Sequence, residues 1–375
     1  MKSSNQKKNG SRGPAFTLIE VLLATAILGL LVGLFATMVA QTSSLWQRTT
    51  GKIEQFREAR NAFESMTTRL SQATLNTYWD YDNATAPTKY ERRSELRFIS
   101  GPSKTVIPTV SGGRTRLTHS VFFIAPLGYT NQTAKFGNYD NLLCAAGYYL
   151  EFGDDKLLRP GFIPETVAPL RYRHRLMEFI APTENTSNNI YKYTSGSLAA
   201  NNYNKKDWYQ PLVNATPTTT APANFYQIAE NIIALIITPR LSRDDEKQAS
   251  GGSVSDESKL ASNYLYDSAP GAAVAGAQYN DPLLNPTNQL PPILQVTMVA
   301  IDELSASRLR LNAAKSDIFG AAAKFTKSSD YSKDLLQTGG TTSLEDTLIA
   351  QRVNYRIFNT NVTIRGAKWS RDQKN

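Results

Sequence analysis

Residues Ala15 to Ala40, AFTLIEVLLATAILGLLVGLFATMVA, decide how this chain is read. After Ala15 the stretch is nearly unbroken apolar sequence carrying one charge, Glu20. As a helix, Phe16–Ala40 rises about 37 Å, enough to cross a hydrocarbon core about 30 Å thick. It exceeds the ~7–15-residue apolar core of a secretory signal, and a small-x-small cleavage site after it is poorly formed. Residues 1–15 carry Lys2, Lys7, Lys8 and Arg12 and no acid. Such a basic leader stays cytoplasmic, so a single pass with the bulk of the chain outside is expected.

A carboxylate inside a spanning segment costs about 2.5–3.5 kcal/mol on insertion scales, so Glu20 needs a partner. Thr25, Gly29, Gly33 and Thr37 recur at i+4 and lay small residues along one face, a spacing that lets helices approach closely. No proline falls between Pro14 and Pro87. Beyond Phe56 the apolar positions Ala59, Phe63, Met66, Leu70 and Ala73 alternate spacings of four and three, a one-faced stripe. The pattern predicts one helix from Phe16 to Leu75, about 90 Å long, with Gly51 as a soft point. Its transmembrane half covers 16–40 and its amphipathic half 41–76.

With these residues in view, GPAFTLIEVLLATAILGLL resembles the processing site of type IV prepilins and pseudopilins, the subunits of pili and type II secretion filaments. The resemblance implies cleavage between Ala15 and Phe16 by a prepilin peptidase, N-methylation of Phe16, and an assembly salt bridge from Glu20 to a neighbouring subunit's new amine. The family normally places Gly before the cut; here Ala15 stands there, with Gly13 two residues earlier. Implied partners are the peptidase, other pilin-like subunits, an inner-membrane assembly platform and membrane lipid. The implied location is the bacterial inner membrane, single-pass with the head periplasmic, and then an extracytoplasmic filament. The large region after the helix is most similar to a J-type minor pseudopilin. RYRHRLMEF, AENIIALIITPRLS and VNYRIFNTNVTIRGAKWS also resemble the Verru-Chthon cassette protein C family. The rival reading is a single-pass anchored periplasmic module that binds polysaccharide or an envelope protein.

Residues 77–375 read as a loop-rich, β-rich, pilin-like head, giving an α+β chain. Asn76–Arg93 is loop-like. Strands are expected at Glu95–Ser100, Thr105–Val110, Leu117–Ala125, Tyr148–Phe152, Arg171–Ile180, the second part of Phe225–Pro239, and Pro292–Asp302, as antiparallel sheet. Ser343–Arg352 reads as a helix capped by Ser343, and Tyr355–Trp369 as a final strand or hairpin. Residues 182–224 and 242–289 read as two long polar insertions, of the kind that decorate a surface or form contacts.

Composition closes other routes. The chain has 375 residues and a net charge of +9, of which four lie in the leader, with no dense basic patch beyond it. Nucleic-acid binding is therefore not expected. One cysteine, Cys144, excludes an internal disulfide and a cysteine-rich metal site. The two histidines, His119 and His174, sit in unrelated contexts, and His174 reads as a strand-face histidine. No H-E-x-x-H, phosphate-binding glycine loop or G-x-S-x-G elbow occurs. Acidic groups at Asp80/Asp82, Asp140, Asp154/Asp155 and Asp244–Glu246 lack EF-hand spacing; solvated turn carboxylates is the plainer reading, calcium the alternative. No cofactor and no catalytic residue is expected.

Overall fold

The computed structural model describes residues 17–83, 85–108, 114–182, 209, 224–252, 257–269, 283–336 and 343–369; at 47, 48 and 50–55 it describes the backbone alone. Met1–Glu54 and Gln55–Asn375 form two separate units. A helix assigned as Leu18–Ser71 begins in the first and ends in the second. In the first unit every described side chain is exposed.

In the second unit the expected stripe is buried: Ala59, Phe63, Met66, Leu70 and Ala73 are all less than a tenth exposed, Met66 and Leu70 completely covered. Between them Arg60 and Glu64 pair on the solvent side at 2.8 Å. The helix ends at Ser71, short of Leu75, where other elements take its last groups. Arg365 donates its amide to the Ser71 carbonyl, and Thr74 donates to that of Ile124.

Among the described residues eleven strands follow, all antiparallel where paired: β1 Tyr78–Tyr81, β2 Tyr90–Arg93, β3 Ile99–Pro102, β4 Thr115–Pro126, β5 Leu143–Gly153, β6 Arg173–Ala181, β7 Phe225–Glu230, β8 Ile232–Arg240, β9 Tyr266–Asp267, β10 Ile293–Ile301 and β11 Tyr355–Thr363. They form a six-stranded sheet in the order β7-β6-β5-β4-β3-β9, a three-stranded sheet β11-β10-β8, and a separate β1-β2 ribbon. Side chains alternate between faces along a strand. Val121, Phe123 and Ala125 of β4 share a core with the helix stripe and with Leu294, Val296 and Met298 of β10. Phe122 and Ile124 face the opposite way, onto Val106, Ile107, Phe179 and Tyr209. The other face of the three-stranded sheet, with Ile233, Ile236, Val299 and Ile301, is covered by Phe319, Phe325, Leu344 and Leu348.

The two sheets meet at an irregularity in β4. The register with β5 shifts between Leu117 and Ser120, and Thr118 takes a positive φ of 49°. This turns two side chains onto the free edge of β8. The Leu235 amide donates to Thr118 Oγ1 and the Ile237 amide donates to His119 Nδ1, both at 3.1 Å. A backbone amide can only donate, so Nδ1 is unprotonated and Nε2–H donates to the Phe325 carbonyl at 3.0 Å.

Gly147 lies opposite Phe122 across β4–β5. A Cβ there would meet the Phe122 ring at 2.3 Å, so the ring lies over bare backbone and stacks on Tyr209 at 4.3 Å.

Several expectations need correction. The strand expected at Thr105–Val110 is not formed where described: Ser103–Val106 is a helical turn, because Pro102 ends β3 and the Ile107 amide closes back on Ser103, while Val106 and Ile107 are buried all the same and 109–110 lie outside the described residues. Of the strand expected at Glu95–Ser100, Glu95–Phe98 lie outside β3. Part of the loop-like 76–93 forms the β1–β2 ribbon. Residues 242–289 are not surface decoration where described. Leu260, Tyr264, Tyr266 and Leu284 are buried, and the polar side chains turn inward to satisfy loop backbone. Glu246 accepts from the Leu241 and Lys259 amides, and Ser242 caps the helix Arg243–Ala249. The 182–224 insertion lies outside the described residues apart from Pro182, Tyr209 and Asn224. The expected cap at Ser343 is present as a reciprocal capping box with Asp346.

Two outcomes test this core. Met66→Ala is expected to destabilise the head by about 2–5 kcal/mol, and Arg60→Ala by less than about 0.5, read as shifts in urea midpoint. Burial also pushes both His119 and His174 down to about 4. A histidine held neutral in the fold stabilises it above its unfolded pKa near 6.5. That contribution is lost as pH falls from about 6.5 towards 4. The urea midpoint is expected to fall through this window, with His174→Phe flattening the fall.

Candidate assembly segment

The helix begins with Thr17 in the capping position and Glu20 three residues on. The Glu20 carboxylate accepts from the Thr17 amide and the Thr17 hydroxyl, both at 2.9 Å. T-L-I-E is thus a T-x-x-E capping pair, a signal that the reading of Glu20 as a membrane charge passed over. The expected cleavage pair, Ala15 and Phe16, lies outside the described residues.

Leu18–Trp46 is a run of 29 residues long and apolar enough to cross a membrane by length and composition, with none of it buried. Leu18, Phe35, Met38 and Val39 are each about two-thirds exposed or more. Leaving a large apolar side chain in water forgoes about 1.5–3 kcal/mol, so this surface requires an apolar cover. Thr25 and Thr37 turn their hydroxyls back to the carbonyls of Leu22 and Leu34, at 3.0 and 2.8 Å. A Cβ at Gly29 or Gly33 would meet nothing within 4 Å. The four small residues therefore present a shallow, internally satisfied strip.

In the head, the helix from Gln55 onward is fixed by a charge that the sequence did not single out. Arg69 Nη1 and the Tyr148 hydroxyl both donate to Glu178 Oε1, the tyrosine at 2.6 Å. Burial and the neighbouring carboxylate push the Tyr148 phenol well up, keeping it neutral and donating. Beside this lock, Asn61, Glu64, Thr68 and Arg69 line an open cleft of about 540 Å³ against Pro126 and Leu127. A second cluster gathers on Glu303, which accepts from Arg171, Arg173 and Asn231. Partial burial works to raise its pKa, but Arg173, Asn231 and Ser307 hold it down at about 2.

The histidines are brought to no shared site. His174 Nε2 bonds the Ser316 carbonyl at 2.9 Å, as His119 bonds that of Phe325. The acidic groups divide. Asp82 sits in the ribbon turn, but Asp155 clamps Arg159 and the Arg171 amide, and Asp245 and Glu246 are buried, so these three are not solvated turn carboxylates. Among the described residues no three His, Cys, Asp or Glu side chains come together as a metal site would need. No protein-family model, curated protein or solved structure matches the chain.

Removing Arg69 leaves the Glu178 carboxylate buried with only Tyr148. Arg69 is a third exposed. Arg69→Ala is therefore expected to cost roughly 2 kcal/mol, below the 3–5 of a fully buried pair, with Glu178→Gln recovering part of the loss in the double mutant.

Proposed function

We propose that this chain is a pilin-like structural subunit, a minor pseudopilin of a type IV pilus or type II secretion-like filament. It is processed by prepilin peptidase, and its role is assembly rather than catalysis. The observation that carries the reading is the helix Leu18–Trp46, apolar and bare along its whole length, with one carboxylate in its first turn. Lipid covers such a helix first and neighbouring helices cover it in a filament. The sequence before it supports this order, since a basic leader followed by F-T-L-I-E resembles a prepilin processing site, at which a cut between Ala15 and Phe16 would leave a new ammonium on Phe16.

Glu20 then pairs with the Phe16 ammonium of an adjacent subunit, which relieves two costly charges together in an apolar surrounding. Its bonds to Thr17 hold it until that partner arrives. The strip Thr25–Gly29–Gly33–Thr37 is where a second helix comes close. The head, joined through this helix to an inner-membrane assembly platform and to other pilin-like subunits, lies on the periplasmic side.

Mass spectrometry of the membrane-bound chain is expected to find an N-methylated Phe16 start. An intact Met1, or a cut after Ala40, would sink the proposal. Glu20→Ala is expected to abolish filament incorporation with cleavage largely kept; full incorporation of that variant removes the role given to Glu20.

A further inference from the structure

The β1–β2 ribbon stands apart from both sheets and shows its aromatic rings to solvent. Its register pairs Trp79 with Arg92 and Tyr81 with Tyr90, so these four side chains share one face. Trp79, Tyr81 and Tyr90 are 57%, 44% and 60% exposed. Neither strand of the ribbon carries an aliphatic side chain.

The rings are held in place. Tyr81 and Tyr90 lie 4.5 Å apart between centroids, and the Tyr90 hydroxyl donates to that of Tyr81 at 2.7 Å. The Arg92 guanidinium sits beneath Trp79, 5.5 Å from the ring centroid, and is itself buried. The turn is closed by Asp82, which accepts from the amides of Asn83, Thr88 and Lys89 and from the Thr88 hydroxyl. Asn288 donates to the Arg92 carbonyl at 2.6 Å and ties the ribbon to the head. Pre-set rings lose little freedom when a ligand arrives.

Charge narrows the partner. Lys89 pairs with Glu91 and Arg93 with Asp80, at 3.0 and 4.0 Å, Arg92 lies under Trp79, and Asp82 is spent on the turn. Three bases and three acids cancel within the ribbon, so it offers no field to steer a polyanion. A neutral ligand with flat apolar faces and a hydroxyl rim matches this surface. Sugar rings have that form: their C–H faces stack on Trp and Tyr, and the Tyr81 hydroxyl keeps a proton to give. Trp79 and the tyrosine pair sit roughly 7 Å apart along the strand, so an extended polymer can rest on both.

We propose that the Trp79–Tyr81–Tyr90 face of the ribbon is a binding platform for a neutral, β-linked polysaccharide. The site is independent of how the N-terminal helix is processed or assembled.

The test uses the full chain in an amine-oxide detergent, which has no sugar headgroup, with cellulose, chitin and curdlan particles as probes. Wild type is expected to co-sediment with at least one of them, with little change as salt rises from about 0.05 to 0.5 M. Trp79→Ala and the double variant Tyr81→Ala/Tyr90→Ala are expected to lower the bound fraction at least about tenfold, and Tyr78→Ala, on the opposite face, less than about twofold. Thermal midpoints of all variants report folding, and Trp79→Ala alone decides if the double variant does not fold. The proposal is overturned if none of the three glycans retains the chain, or if retention survives loss of the rings. It is equally overturned if the ribbon instead drives binding to phosphatidylcholine vesicles or to heparin.

Discussion

The head depends on two hydrogen bonds between the edge of one sheet and the bulge of another. β8 borders the three-stranded sheet, and its outward amides at Leu235 and Ile237 would be unpaired in a buried place. Each such orphan costs about 1–3 kcal/mol. Thr118 and His119 supply the missing acceptors, which they reach only because β4 breaks register at that point. A β-branched residue at positive φ is strained, and the strain is offset by two satisfied amides and a fixed angle between sheets. The same bond forces His119 into one neutral tautomer, so sheet docking and proton affinity are one property of this fold.

Around that joint, polar residues do inward work that composition conceals. Glu246, Ser258, Asn285 and Asn288 are buried, and each satisfies backbone in segments that read as solvent-facing loop. Periodicity could not reveal this, because an irregular segment has no period and its burial is set by partners far away in the chain. Where a period exists the sequence was informative. The stripe from Ala59 to Ala73, the β-branched runs of β4, β8 and β10, and the Ser343 cap were all legible. The turn at Ser103–Val106 was not: Val106 and Ile107 have strand-like side chains, but their burial, not their backbone, was what the apolar run encoded.

The candidate segment was legible in a different way. Leu18–Trp46 announces itself through length and composition, and Glu20 by being the one charge in it. Its capping contact with Thr17 was also present as T-x-x-E, hidden because one carboxylate served two readings. The Arg69–Tyr148–Glu178 lock was beyond reach of the sequence, since its members come from three elements and only the folded head makes them neighbours. The aromatic ribbon fell between these cases. YWDY and YERR carry the rings, but a Pro and several turn formers between them read as loop.

Gly147 carries a consequence for how this chain tolerates change over time. Any side chain there strikes the Phe122 ring, and that ring is the surface on which Tyr209 rests, with the Tyr209 hydroxyl in turn bonded to the Val106 carbonyl. Three stretches far apart in sequence therefore share one evolutionary fate. Phe122 and Tyr209 can drift only as a matched pair, and only while position 147 stays bare. Among related sequences, a residue larger than glycine at 147 should be accompanied by a smaller ring or none at 122.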